Sequence, residues 1–145
     1  MFKKLFKRKI NTDAFTNLIA EGTTVHGGLE FGGILKVSGT IDSVDGLVIG
    51  TSVSDPQNDE DCLIIDTTGT VRAPRIECAD LVVGGKVDVR DIKCRGQIKI
   101  LKTAIIEDCI IYYNELEMEL GASVHNCTLI ELKQQSGGSG VGITD

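Results

Sequence analysis

Four apolar pairs, Leu63/Ile65, Leu81/Val83, Ile98/Ile100 and Leu116/Met118, begin 18, 17 and 18 residues apart. Each is followed by an apolar residue (Val71, Val87, Ile105, Val124) and, five positions later, by another (Ile76, Ile92, Ile110, Leu129). A unit this short cannot bury its own apolar face, but stacked copies bury a continuous core. The pattern therefore predicts an all-β fold, a single-stranded parallel β-helix of about six coils, each with three short strands and three corners. Along Ile98-Lys99-Ile100 and Leu116-Glu117-Met118 the alternation sends one set of side chains inward and the other outward. A β-sandwich, with a strand every ~8–12 residues, competes, but it does not require one three-part unit four times in succession.

Composition agrees with strands. Val, Ile and Thr make up 41 of 145 residues against 6 Ala, and branched side chains fit a pleated surface better than a helix. The 17 Gly supply turns, and with only six aromatics the core must be built from Val, Ile and Leu. Before the regular repeats, Leu29/Phe31, Leu35/Val37/Ile41 and Leu47/Ile49/Val53 read as one to three further coils in a register left open. Residues 1–20 read as a tail, 21–133 as the coil, and 134–145, rich in Gly and Ser, as a second tail. Residues 54–61 interrupt the repeat. They read as a loop extruded from a corner; Asp55, Asp59, Glu60 and Asp61 could alternatively ligate a divalent ion, but the Gly and acid spacing of a calcium loop are missing.

Few residues invite chemistry. His26 follows inward Val25 and His125 follows inward Val124, so both should face solvent, and no Ser-His-Asp or Cys-His arrangement can be drawn. Gly84-Gly85-Lys86 lacks the residues of a phosphate-binding loop, so no cofactor is expected. Cys78 and Cys94 each lie two residues after an inward Ile on adjacent coils, which predicts an interior stack of thiols. A zinc site is the alternative, but no CxxC occurs. The five cysteines are an odd number and fit free thiols in the cytoplasm.

Charge is segregated. Lys3, Lys4, Lys7, Arg8 and Lys9 fall in the first ten residues, which hold no acid, and the remaining 135 carry 10 basic and 21 acidic residues. Such an acidic body repels phosphate backbones, so no nucleic-acid partner is expected. No apolar run is long enough to span a bilayer or to form a secretory signal. Phe2, Leu5, Phe6 and Ile10 would share one face of a helix flanked by the five cations, a pattern for peripheral binding to anionic lipid; a basic leader without a membrane role is the alternative.

From Gly22 to Leu132 the chain resembles the bactofilins, bacterial cytoskeletal proteins that polymerise without nucleotide. The likeness rests on EGTTVHGGLEF, LKVSGTID, LVVGGKVDV and LEMELGASVHNCTL. It departs from the family in the acidic insertion, in Val124 where Phe is common, and in Ala73-Pro74, Arg90-Asp91 and Glu107-Asp108 where corner glycines are usual. The resemblance implies a right-handed coil and non-polar filaments at the inner face of the cytoplasmic membrane. It further implies recruitment of cell-wall synthesis or remodelling enzymes and no catalysis. Uncapped coil ends template further pairing, and head-to-tail docking that does not close yields an open polymer. Val25, Leu29 and Phe31 at one end and Leu116, Met118, Val124 and Leu129 at the other are the expected polymer interface. Two other functions fit a β-helix: an acyltransferase of the hexapeptide class, which needs a stricter 18-residue period and a loop histidine, and a regulator of a cell-division filament.

Overall fold

Sixteen strands and no helix make up residues 17–50 and 61–132, the residues described by this computed structural model. They wind as six coils of three faces. Coil 1 holds β1 (Asn17–Ile19), β2 (Thr24–His26) and β3 (Leu29–Phe31); coil 2 holds β4 (Ile34–Val37), β5 (Thr40–Asp42) and β6 (Val48–Gly50). Coil 3 is β7 (Cys62–Ile65) and β8 (Thr70–Cys78), and coil 4 is β9 (Asp80–Val83) and β10 (Lys86–Cys94). Coil 5 holds β11 (Gln97–Ile100), β12 (Ile105–Glu107) and β13 (Ile110–Tyr113), and coil 6 holds β14 (Glu115–Met118), β15 (Ser123–His125) and β16 (Thr128–Glu131). Every pairing is parallel and joins adjacent coils. The first face runs β1-β4-β7-β9-β11-β14. The nine-residue strands β8 and β10 serve both other faces, and the pairing between them skips Pro74 and Arg90 at the bend. The described coil already includes Asn17, four residues before the boundary expected from the repeat, because Ile19 continues an inward column through its pairing with Val37.

Inward side chains stack in columns. On the first face Leu35, Leu63, Leu81, Ile98 and Leu116 form one column, and Ile19, Val37, Ile65, Val83, Ile100 and Met118 the next. Val37, Leu63, Ile65, Leu81, Val83 and Ile100 are all 0 % exposed, and each such side chain contributes about 1.5–3 kcal/mol by leaving water.

Three inward assignments need correction. Val87 pairs with Ile106, not Ile105, and Ile92 pairs with Ile111, not Ile110; Ile106 and Ile111 are fully buried while Ile105 and Ile110 are 41 % and 38 % exposed. Each error sits in an Ile-Ile doublet, where alternation alone cannot choose the inward member. In coil 2 the inward residue is Val48, paired with Leu29 and Ile76, rather than Leu47 or Ile49; the corner at residues 43–47, held by Ser43 Oγ on the backbone of Gly46, shifts the parity. Val53 lies outside the described residues. A second small apolar cluster lies on the outward side of the first face, where Cys62, Ile64 and Val82 are buried with Ile34 and Leu101 packed against them.

The corners explain the coil's tightness. At the first, Gly39, Gly69 and Gly85 stack so closely that a Cβ on Gly69 or Gly85 would overlap the carbonyl oxygen of the preceding coil. At the second, Asp108 and Asn126 adopt φ of 55° and 56°, a conformation these two residue types tolerate better than most. Asn126 Nδ2 donates to Asp108 Oδ1 at 2.5 Å. Asp108 therefore holds a left-handed corner conformation that glycine adopts most readily.

Candidate functional site

The two ends of the coil are the least satisfied parts of the described residues. Among the described residues each terminal strand has a partner strand on one side only. The ends are not alike. In coil 6, Met118 is 41 % and Leu129 42 % exposed, although their columns are fully buried at Ile100 and Ile111. Leu116 and Val124 are half-buried against the core. Leu120, in the corner before Gly121, is 95 % exposed, and Ile130 is 38 % exposed on the outward side of β16. In coil 1, Val25 and Leu29 are half-buried, whereas Phe31 is buried, its ring lying where a side chain on Gly50 would have to go.

Sequence reasoning thus located the half-exposed columns of coil 6 but missed Leu120 and Ile130. Leu120 lies in a turn, outside any alternation. Ile130 follows inward Leu129 and would have been found by asking which outward residues are apolar. The membrane-binding candidates Phe2 to Lys9, and Asp55, Asp59 and Glu60 of the acidic loop, lie outside the described residues.

Asp61 belongs to the coil. Its Oδ1 accepts the backbone N–H of Ala79 and its Oδ2 accepts from Arg95. On the next coil Asp80 Oδ1 accepts the N–H of Gln97. These carboxylates serve a corner. Among the described residues no three His, Cys, Asp or Glu side chains converge as a metal site.

The other chemistry-bearing residues are dispersed. His26 and His125 are exposed on the second face at opposite ends of the molecule. Cys78 and Cys94 point inward on adjacent coils with their sulfurs 3.8 Å apart. The hydrogen bond between them, then burial, pushes the Cys78 thiol well above its usual range; burial pushes Cys109 up to about 12. Neither is poised as a thiolate nucleophile. A groove of about 440 Å³ runs along the bend of β8 and β10, lined by Val44, Arg72, Pro74, Asp88, Arg90 and Asp108 among others; its charges balance, and Ser43 Oγ at its edge is committed to Gly46.

Among the described residues, six stacked coils with a dry interior and end strands paired on one side only define a parallel β-solenoid whose least satisfied surfaces are its ends. The chain belongs to the bactofilin family: residues 17–128 match the family model described as bactofilin, polymer-forming cytoskeletal. It is therefore a member of a polymer-forming, structural family. Comparison with curated proteins and with solved structures gives no match. No helix among the described residues is long and apolar enough to cross a membrane.

Proposed function

We propose that the protein assembles end to end, without nucleotide, into non-polar filaments that lie on the inner face of the cytoplasmic membrane and recruit cell-wall or cell-shape factors. The observation that carries this reading is the exposure of Met118 and Leu129 in columns that are dry through coils 2 to 5. Another coil laid on coil 6 would extend both columns and pair with the outer edges of β14, β15 and β16. In a non-polar filament like ends meet, coil 6 on coil 6 and coil 1 on coil 1, rather than head to tail; each junction leaves the other end of the added copy open, so growth continues. Membership of a polymer-forming family supports the same reading.

Membrane attachment rests on the N-terminal sequence. Phe2, Leu5 and Phe6 would insert while Lys3, Lys4, Lys7, Arg8 and Lys9 face anionic headgroups. Each cation contributes about 1 kcal/mol near such a surface; one tail binds weakly, and many tails on one filament bind firmly through avidity. The body supplies a scaffold and no catalytic step, so the partners bring the chemistry.

Negative-stain microscopy of the purified protein, in lipid- and nucleotide-free buffer of physiological salt, tests the assembly. Filaments are expected at micromolar concentration; a monodisperse monomer at tens of micromolar would overturn the reading.

A further inference from the structure

Coil 6 combines two properties more strongly than the opposite end, where coil 1 has two acids, Glu21 and Glu30, and one exposed large apolar residue, Leu18. Between residues 103 and 132 the chain has six acids and no Lys or Arg. Four of them, Glu115, Glu117, Glu119 and Glu131, belong to coil 6, around the exposed apolar residues Met118, Leu120, Leu129 and Ile130. Glu119 is held in place by the backbone N–H of Lys102, which donates to its Oε1 at 2.9 Å. This end is an apolar plate with an acidic rim. The complementary surface occurs once in the sequence: the first ten residues carry five cations and no acid, interleaved with Phe2, Leu5, Phe6 and Ile10.

We propose that coil 6 is a docking site for the chain's own basic N-terminal segment, and that this contact competes with end-to-end assembly until an anionic membrane draws the segment away. Charge complementarity selects the occupant, since like-signed apolar segments would be repelled by the rim. Length permits it within one copy. Five strand spacings of ~4.8 Å separate coil 1 from coil 6, roughly 24 Å. The seven residues from Ile10 to Asn17 can extend about 23 Å, so the cations before Ile10 reach the plate.

The competition follows from what the plate must otherwise do. Docking another copy on it buries the same apolar residues that the segment would cover. An anionic bilayer offers the segment both stronger charge and a thicker apolar phase, so it wins the segment and uncovers the plate. Filaments would then start at the membrane rather than in solution. This second half rests on the assembly role given to coil 6 above; the docking itself does not.

The test has two arms. In the first, a fluorescently labelled peptide of residues 1–16 is titrated with a variant lacking residues 2–9, which keeps every described strand pairing, and anisotropy is read. Saturable binding is expected, weakening about tenfold between ~50 mM and ~500 mM salt. Glu117→Gln with Glu119→Gln should weaken it about three- to tenfold, and Glu21→Gln with Glu30→Gln, on coil 1, should leave it unchanged. Absence of saturable binding, or equal loss in the coil 1 variant, overturns the docking whether or not the protein forms filaments. In the second arm the concentration at which assembly begins is compared by pelleting. The full chain should need a several-fold higher concentration than the shortened one, and vesicles containing anionic phospholipid should remove that difference. Equal thresholds without lipid overturn the competition. If neither protein assembles, the filament reading falls and the anisotropy alone decides the docking.

Discussion

Arg95 reaches back across two coils to Asp61, donating to its Oδ2 at 2.6 Å, with the carboxylate fully removed from solvent and the Arg95 side chain 38 % exposed. Asp61 immediately precedes β7 and Arg95 immediately follows β10, so the pair straps the entrance of coil 3 to the exit of coil 4. A buried carboxylate is tolerable only when its oxygens are satisfied, and the second oxygen takes the N–H of Ala79 at 2.6 Å.

The first prediction separates those two bonds. Asp61→Ala strands the Ala79 N–H and the inner end of Arg95, and should cost about 2–4 kcal/mol. Asp61→Asn keeps an oxygen for Ala79 and loses the ionic partner, so it should cost about half as much. Urea unfolding in an assembly-blocked background measures both. Equal losses would assign the whole effect to the ion pair, and an alanine variant within ~0.5 kcal/mol of the parent would show that the strap carries little.

The repeat made the fold legible, because Leu63, Leu81, Ile98 and Leu116 recur at a spacing only a stacked coil explains, and all four lie in one column. What remained illegible was parity wherever two branched residues adjoin. Ile105 and Ile106 are chemically identical, and the choice between them is made by the corner, which spaces Ile106 six positions after Ile100, against four from Val83 to Val87. Asp61 was hidden for a related reason: it reads as the last acid of a solvated loop, and only the backbone of Ala79, 18 residues on, gives it a structural task. The half-exposed ends of coil 6 were legible as the last members of columns, whereas the acidic rim was visible only once residues 115–131 were closed into one coil.

That parity gives the second prediction. Ile106→Asn places an amide in the dry interior and should cost about 3 kcal/mol or more, whereas Ile105→Asn, on the outward side, should change stability by less than ~0.5 kcal/mol. Thermal unfolding followed by circular dichroism reads the difference. Equal destabilisation would reverse the register of coil 5.

The buried thiols set a limit on alkaline stability. Cys109 holds its proton to about pH 12 in the folded chain, through burial and the proximity of Cys127, while an unfolded thiol releases it near pH ~8.5. Cys78 is shifted in the same direction. The folded state therefore binds more protons than the unfolded state above the unfolded value, and stability falls as pH rises in that window. This contribution is fully present below pH ~8.5 and is lost progressively on the way to about 12. The urea midpoint should decline between those limits, and Cys109→Ala should flatten part of the decline. A slope unchanged by that substitution would remove Cys109 as a cause.

Val124 decides whether coil 6 is the growing surface. It continues the inward column of Val71, Val87 and Ile106 and is half-buried at the end of it. In the lone molecule an arginine there can turn its guanidinium to the open side, so Val124→Arg should keep the β-type circular dichroism of the parent. In a junction the same cation would be enclosed between two apolar plates, at a cost of several kcal/mol unless it is paired. A loss of that size weakens each contact by more than a hundredfold, which is enough to leave short soluble species at concentrations where the parent is filamentous. Leu129→Arg should behave alike, because Leu129 ends the neighbouring column. His125→Arg is the control: His125 is exposed on the outward side of the same strand, so it adds the same charge without entering the junction and should leave filaments intact. Full-length filaments from Val124→Arg and Leu129→Arg together would move the end-to-end contact away from coil 6, and loss of filaments in His125→Arg as well would show that added charge near this end, not entry into the column, governs assembly.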